Sequence, residues 1–143
     1  MRKLRNVVVV DEDARFQQQL AENGQVFGFQ MQPATGRRDA LQAVYRGCDL
    51  VIINREFQEG MGLELFGMLR QVRPFIPVIL TSNEIDFTVQ AEMYQANAEL
   101  YLPKPVDYSR LAEAIVSLLN FAAARRASAE AGVGPYMGLA VGY

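Results

Sequence analysis

The sequence predicts an α/β fold, a (βα)5 doubly wound parallel sheet. Five short apolar runs recur along it, at residues 6–10, 29–33, 50–53, 78–80 and 100–102. They are rich in Val and Ile and nearly free of polar alternation, as expected for parallel strands covered on both faces. The stretches between them place apolar residues at helical spacing. Strand, helix, strand in strict alternation leads to a right-handed crossover sheet, and at 143 residues to one domain with the flavodoxin-like strand order 2-1-3-4-5.

Each element has its own warrant. The first run ends at Asp11, and Phe16, Leu20 and Phe27 then share one face of a helix over residues 14–28, which Gly24 weakens and could end early. In "GRRDALQAVYRG" Ala40, Leu41 and Val44 fall together, and in "GLELFGMLRQV" so do Leu65, Leu69 and Val72. Asp86 is a suitable N-cap for a helix through Ala96 with Val89 and Met93 inward. The last helix is capped by Asp107 and stapled by Val106, and carries the stripe Leu111, Ile115, Leu118 and Leu119. Beyond residue 124 the composition shifts. Residues 125–143 read as an alanine-rich helix extension, ended by Gly132, Gly134 and Pro135, and an apolar tail with Tyr136, Met137, Leu139 and Tyr143 that serves as a linker or docks on a surface.

Composition narrows the function. Half of the residues are hydrophobic and 21% charged, which suits a globular domain, and a net charge of −2 gives no general attraction to nucleic acid or anionic membrane. Only "AAARRAS" is basic. With no histidine and one cysteine, a disulfide framework, a thiolate zinc site and a His-dependent triad are excluded within one chain, and Cys48 reads as a small core or near-surface residue. The opening "MRKLRNVVVVDED" imitates a signal peptide, but its apolar stretch is too short; nothing approaches membrane-spanning length, and a cytoplasmic location is expected.

In doubly wound sheets the working site lies at the carboxyl ends of the strands. The residues that end strands one, three, four and five are Asp11 with Glu12, Asn54, Thr81 with Ser82, and Lys104 just beyond the last. Taken singly they are ordinary. An acidic triplet such as "DED" caps a helix, Thr81 bonds to backbone, and Lys104, stiffened between Pro103 and Pro105, pairs with acids or binds phosphate. Paired carboxylates at a strand end also suit Mg2+.

Together, "VVVVDED", "DLVIIN…GMGLEL", "PVILTS" and "AELYLPKPVD" resemble the receiver domain of two-component response regulators over nearly all of residues 5–120, so that residues 1–124 form a receiver-like domain. The resemblance implies a Mg2+ site at the acidic pair Asp11 and Glu12, a phospho-acceptor position at residue 54, phosphoryl contacts from Thr81 and Lys104, and a switch aromatic at Tyr101. It also implies a metal ligand from the backbone carbonyl of Glu56. The acceptor position departs: it holds Asn54, whose amide lacks the nucleophilic oxygen that forms an acyl phosphate. Gln58 and Met61 depart too, while Gly62 matches.

Three readings follow. The leading one is a pseudo-receiver, not an enzyme, that signals by contact with a kinase or output protein, or as a homodimer through the face of the fourth helix, fifth strand and fifth helix. Its metal would be none, or weakly bound Mg2+ on Asp11, Glu12, Asn54 and Glu56. Without a metal, Lys104 would pair with Asp11 or Glu12 and hydrogen-bond Asn54. The second is a phosphorylatable receiver whose acceptor aspartate has been substituted. The third, a flavodoxin-like cofactor carrier, is disfavoured by "DEDARF" after strand one, which repels phosphate.

Overall fold

Val7, Val8, Val9 and Val10 have no solvent exposure, because they lie in the central strand of a sheet covered on both sides. The structure is a computed structural model and describes residues 5–84 and 86–130. β1 (Arg5–Val10) pairs in parallel with β2 (Phe29–Ala34) on one side and β3 (Leu50–Asn54) on the other. Beyond them lie β4 (Val78–Ser82) and β5 (Leu100–Pro103), giving the order β2-β1-β3-β4-β5 that the sequence predicts.

The alternate valines of β1 serve two cores, which is why no polar period shows in the sequence. Val7 and Val9 pack with Phe16 and Leu20 of α1 (Ala14–Phe27) and with Leu111, Ile115 and Leu119 of α5 (Tyr108–Glu130). Val8 and Val10 face the opposite core. There they meet α2 (Arg37–Arg46) through Ala40 and Val44, α3 (Gly62–Val72) through Leu65 and Leu69, and α4 (Phe87–Gln95) through Val89 and Met93.

Several expectations are refined. α1 runs through Gly24 and stops at Gly28, which takes the left-handed conformation at φ 84°. Gly24 is there for packing: a Cβ on it would lie 3.0 Å from the ring and the carbonyl oxygen of Phe29. In α3 Val72 is 41% exposed, and Phe66 is buried beside Leu65 and Leu69, because positions 65, 66 and 69 share the inward face. Leu41 and Leu118 are half-buried at the core edges, while Ala43 and Ala112 lie inside. Cys48 is buried, and burial pushes its thiol up to about 11, so it is a neutral core residue.

Both aspartate caps form. Asp86 Oδ1 accepts from Val89 N at 2.8 Å, and Asp107 Oδ1 from the amides of Ser109 and Arg110. The alanine-rich segment is helical as far as Glu130; the tail, residues 131–143, lies outside the described residues. β3, β4 and β5 each extend past their apolar runs, which places Asn54 directly beside Thr81 across the sheet.

Candidate functional site

The carboxyl ends of β1, β3, β4 and β5 bring the sequence-predicted residues together in two groups. The first is ionic. Asp11, 4% exposed, receives Lys104 Nζ on Oδ2 at 2.8 Å and the amide of Asp13 on Oδ1 at 2.9 Å. Lys104 reaches it because its own amide continues the sheet pairing to Ser82 O at 2.7 Å, and its ammonium lies 4.3 Å above the ring of Phe16. The bond from Lys104 to Pro105 is cis. Asp13 caps α1 through Arg15 N and Phe16 N and lies 3.6 Å from Lys104. The Phe16 amide bond, aided by the lysine charge, holds its carboxyl below the usual 3.8.

Glu12 turns away from this pair and accepts from Gln58 N at 2.7 Å. That contact braces a feature with no sequence signal. Gln58, Glu59 and Gly60 take positive φ values of 48°, 59° and 98°, forming a left-handed turn between β3 and α3. The acidic triplet therefore divides its work: Asp13 caps a helix, Asp11 pairs with the lysine, and Glu12 holds the turn.

The second group is built on an amide. Asn54, 5% exposed, accepts from Glu56 N on Oδ1 at 3.0 Å and donates from Nδ2 to Thr81 Oγ1 at 3.2 Å and Asn83 Oδ1 at 3.3 Å. Gly62 props it from below. A Cβ there would collide with the carbonyl oxygen of Asn54 and lie 2.9 Å from Arg55 Cα and O, so no larger residue fits.

Neighbours complete the group; the sequence reading names Glu56 only for its carbonyl and gives no role to Arg55, Asn83 or Glu92. The Glu56 carboxylate accepts from Ser82 Oγ at 2.8 Å and from the amide of Asn83. Arg55 donates to Glu56 at 3.2 Å and to Glu92 at 2.9 Å, and lies 3.9 Å from Glu84. The Glu92 hydrogen bond raises the pKa of its guanidinium. Tyr101 is half-buried, its hydroxyl 3.5 Å from Glu84 O, and burial raises its pKa. The expected bond from Lys104 to Asn54 is not among the contacts of the described residues; the buried carboxylate of Asp11 is the stronger acceptor and draws the lysine.

The oxygens that the resemblance assigns to Mg2+ are engaged internally. Asp11 holds Lys104 and the Asp13 amide, Glu12 the Gln58 amide, Asn54 Oδ1 the Glu56 amide, and the Glu56 carbonyl faces Gly60 N at 3.4 Å. Among the described residues no three Asp, Glu, Cys or His side chains converge to hold a metal ion. Mg2+ on these four residues would compete with these internal hydrogen bonds for the same oxygens. A cleft of about 410 Å3 lies at the opposite end of the sheet, lined by Phe75, Ile76 and Phe121, and is no part of this site.

Sheet order, strand-end residues and the lysine after β5 define the class that the comparisons then show. The family model for the response regulator receiver domain matches residues 7–116, and the chain belongs to that family. Among solved structures, a CheY-like receiver domain protein from Methanospirillum hungatei JF-1 is similar at 20% identity, with a TM-score of 0.75 over 84% of this chain and 97% of that one. A response regulator from Thermotoga maritima is similar at 24% identity, TM-score 0.73, covering 82% of this chain and 99% of that one. The receiver domain of a putative Luxo repressor protein from Vibrio parahaemolyticus is similar at 19% identity, TM-score 0.75, over 84% of this chain and 93% of that one. These likenesses concern the fold. No curated protein matches the chain. Among the described residues no helix is long and apolar enough to cross a membrane.

Proposed function

We propose that this receiver domain signals by protein contact and carries no phosphoryl group on residue 54. One observation carries the reading. The Asn54 side chain, where the family has its acceptor aspartate, is an amide that donates to Thr81 and Asn83. A carboxylate attacks phosphorus with an anionic oxygen; the amide has none at neutral pH, and its oxygen is bonded to the Glu56 amide. The domain is then a signalling module of the cytoplasm, not an enzyme. Its partner is a kinase, an output protein or a second copy, met through α4, β5 and α5. On α4 Phe87 and Tyr94 are 90% and 88% exposed, seven residues apart and opposite the buried Val89 and Met93, an apolar stripe suited to contact.

The test is incubation with acetyl phosphate and Mg2+, read by intact mass. An unchanged mass is expected, and a stoichiometric phosphoryl adduct would overturn the proposal. The second reading, a phosphorylatable receiver with a substituted aspartate, draws on Thr81 bonded to residue 54 and on the Asp11–Lys104 pair at the same strand ends. Phosphorylation of the Asn54→Asp variant to full occupancy would favour it; a variant that stays unmodified would indicate that the surrounding site has drifted.

A further inference from the structure

We propose that residues 54, 55 and 56 tie the end of β4 and helix α4 to β3 through the protein's own side chains, so that the α4 surface is held in one conformation without a phosphoryl group, with Arg55 as the positioning residue that carries the tie to α4. The inference rests on the preceding reading that residue 54 is not phosphorylated.

Three consecutive residues each make at least two side-chain bonds in this tie. The Asn54 amide donates to Thr81 Oγ1 and to Asn83 Oδ1. The bond to Asn83 in this sense needs the amide donor of Asn54; an aspartate would be met only if Asn83 turned its own Nδ2 inward. Glu56 supplies an anion: its carboxylate accepts from the Ser82 hydroxyl and from the Asn83 amide just past β4. These donors at the end of β4 are thus satisfied by a carboxylate of the chain itself. Arg55 then bridges Glu56 at 3.2 Å and Glu92 at 2.9 Å, and Glu92 belongs to α4.

The strength of each connection follows from exposure. The side chains of Arg55 and Glu56 are 20% and 24% exposed and that of Glu92 43%, so their charge-assisted bonds are only partly screened. Glu84, at 3.9 Å and 56% exposed, adds little. Glu92 is one residue from Met93, which is buried against the sheet, so the Arg55 bond fixes α4 where it docks on the core. The stripe of Phe87 and Tyr94 on the outer side is presented in the orientation that this bond sets. A partner can shift α4 only by binding more tightly to a form in which the Arg55–Glu92 pair is open.

Amide hydrogen exchange on the full chain, with no phosphodonor present, tests this. Arg55→Gln and Glu92→Gln should each raise exchange along α4 about tenfold, with β1 and β3 unchanged, and the double variant should exchange no faster than either single one. Glu56→Ala, which removes the acceptor, should in addition speed exchange of the Asn83 amide, and an unchanged Asn83 amide would overturn the part assigned to Glu56. Unchanged α4 exchange in Arg55→Gln, or additive effects of Arg55→Gln and Glu92→Gln, would overturn the inference. Mass measurement after acetyl phosphate judges the absence of phosphorylation separately, so either idea can fail without the other.

Discussion

The two halves of the strand-end site are built on different chemistry. Around Asp11 the bonds are ionic and follow the pattern of the family: a buried carboxylate, a lysine beyond β5, and a cap on α1. Around Asn54 the bonds start from a neutral donor and continue into a network of Glu56, Arg55 and Glu92 that the family pattern does not imply. The difference shows that a neutral amide at residue 54 leaves the scaffold around it packed and bonded. A buried amide that donates twice is a satisfied group, and Asn54 needs no ligand to complete it.

The ionic half should be the more fragile. Lys104→Met leaves the Asp11 carboxylate buried without its cation, and a loss of about 4 kcal/mol in urea denaturation is expected. The double variant with Asp11→Asn should recover more than half of that loss, since the unpaired charge is gone. If both variants are equally unstable, packing of the lysine over Phe16 matters more than charge.

Gly62→Ala attacks the amide half from beneath. The added methyl collides with backbone, which cannot swing aside, so about 3 kcal/mol should be lost and the Asn54 and Arg55 resonances should shift with it. Little effect on either would mean that α3 does not position Asn54.

Asn54→Asp makes the two halves alike. It replaces the Nδ2 donor with an anionic acceptor, so that Thr81 and Asn83 must turn to donate, and burying that charge should cost about 2 kcal/mol. The added charge beside Asp11 should also move Mg2+ binding to lower concentration in a titration followed by chemical shift, because a hard cation gains from each further carboxylate. Equal Mg2+ response in the two proteins would separate metal binding from residue 54.

The smallest effect belongs to the cap. Asp13→Ala should cost about 1 kcal/mol near neutral pH. Folding lowers the Asp13 pKa, so its contribution is present above the ordinary 3.8 and disappears as pH falls below it through the folded value. Stability curves of the two proteins should therefore converge at acid pH. A constant gap down to acid pH would assign the loss to helix propensity instead.

Much of this was legible in the sequence because it depends on periodicity and position. Apolar runs without alternation predict a sheet covered on both sides, and the valines of β1 do feed two cores. Asp86 and Asp107 are caps by local chemistry alone. The residues around position 54 were legible by their place at strand ends. Less was legible in α1, where Gly24 reads as a weak point until Phe29 is seen packed against it. In α3 the spacing leaves open which of Phe66 and Val72 turns inward, and packing decides for Phe66.

The sequence by itself determined the order of elements, the strand ends at which the site forms, and the neutral side chain at residue 54, since an amide is an amide in any fold. Only the tertiary structure decided what that amide does. Asn54, Glu56, Asn83 and Glu92 are spread over nearly forty positions, and no local period relates them. The parallel register of β3 and β4 sets Asn54 beside Thr81, and the bond from Arg55 N to Thr81 O holds the next two residues at the sheet end, where Arg55 and Glu56 reach their partners. Hydrogen bonds of this kind depend on distances of tenths of an ångström between elements far apart in the chain, and those distances exist only once both cores have packed.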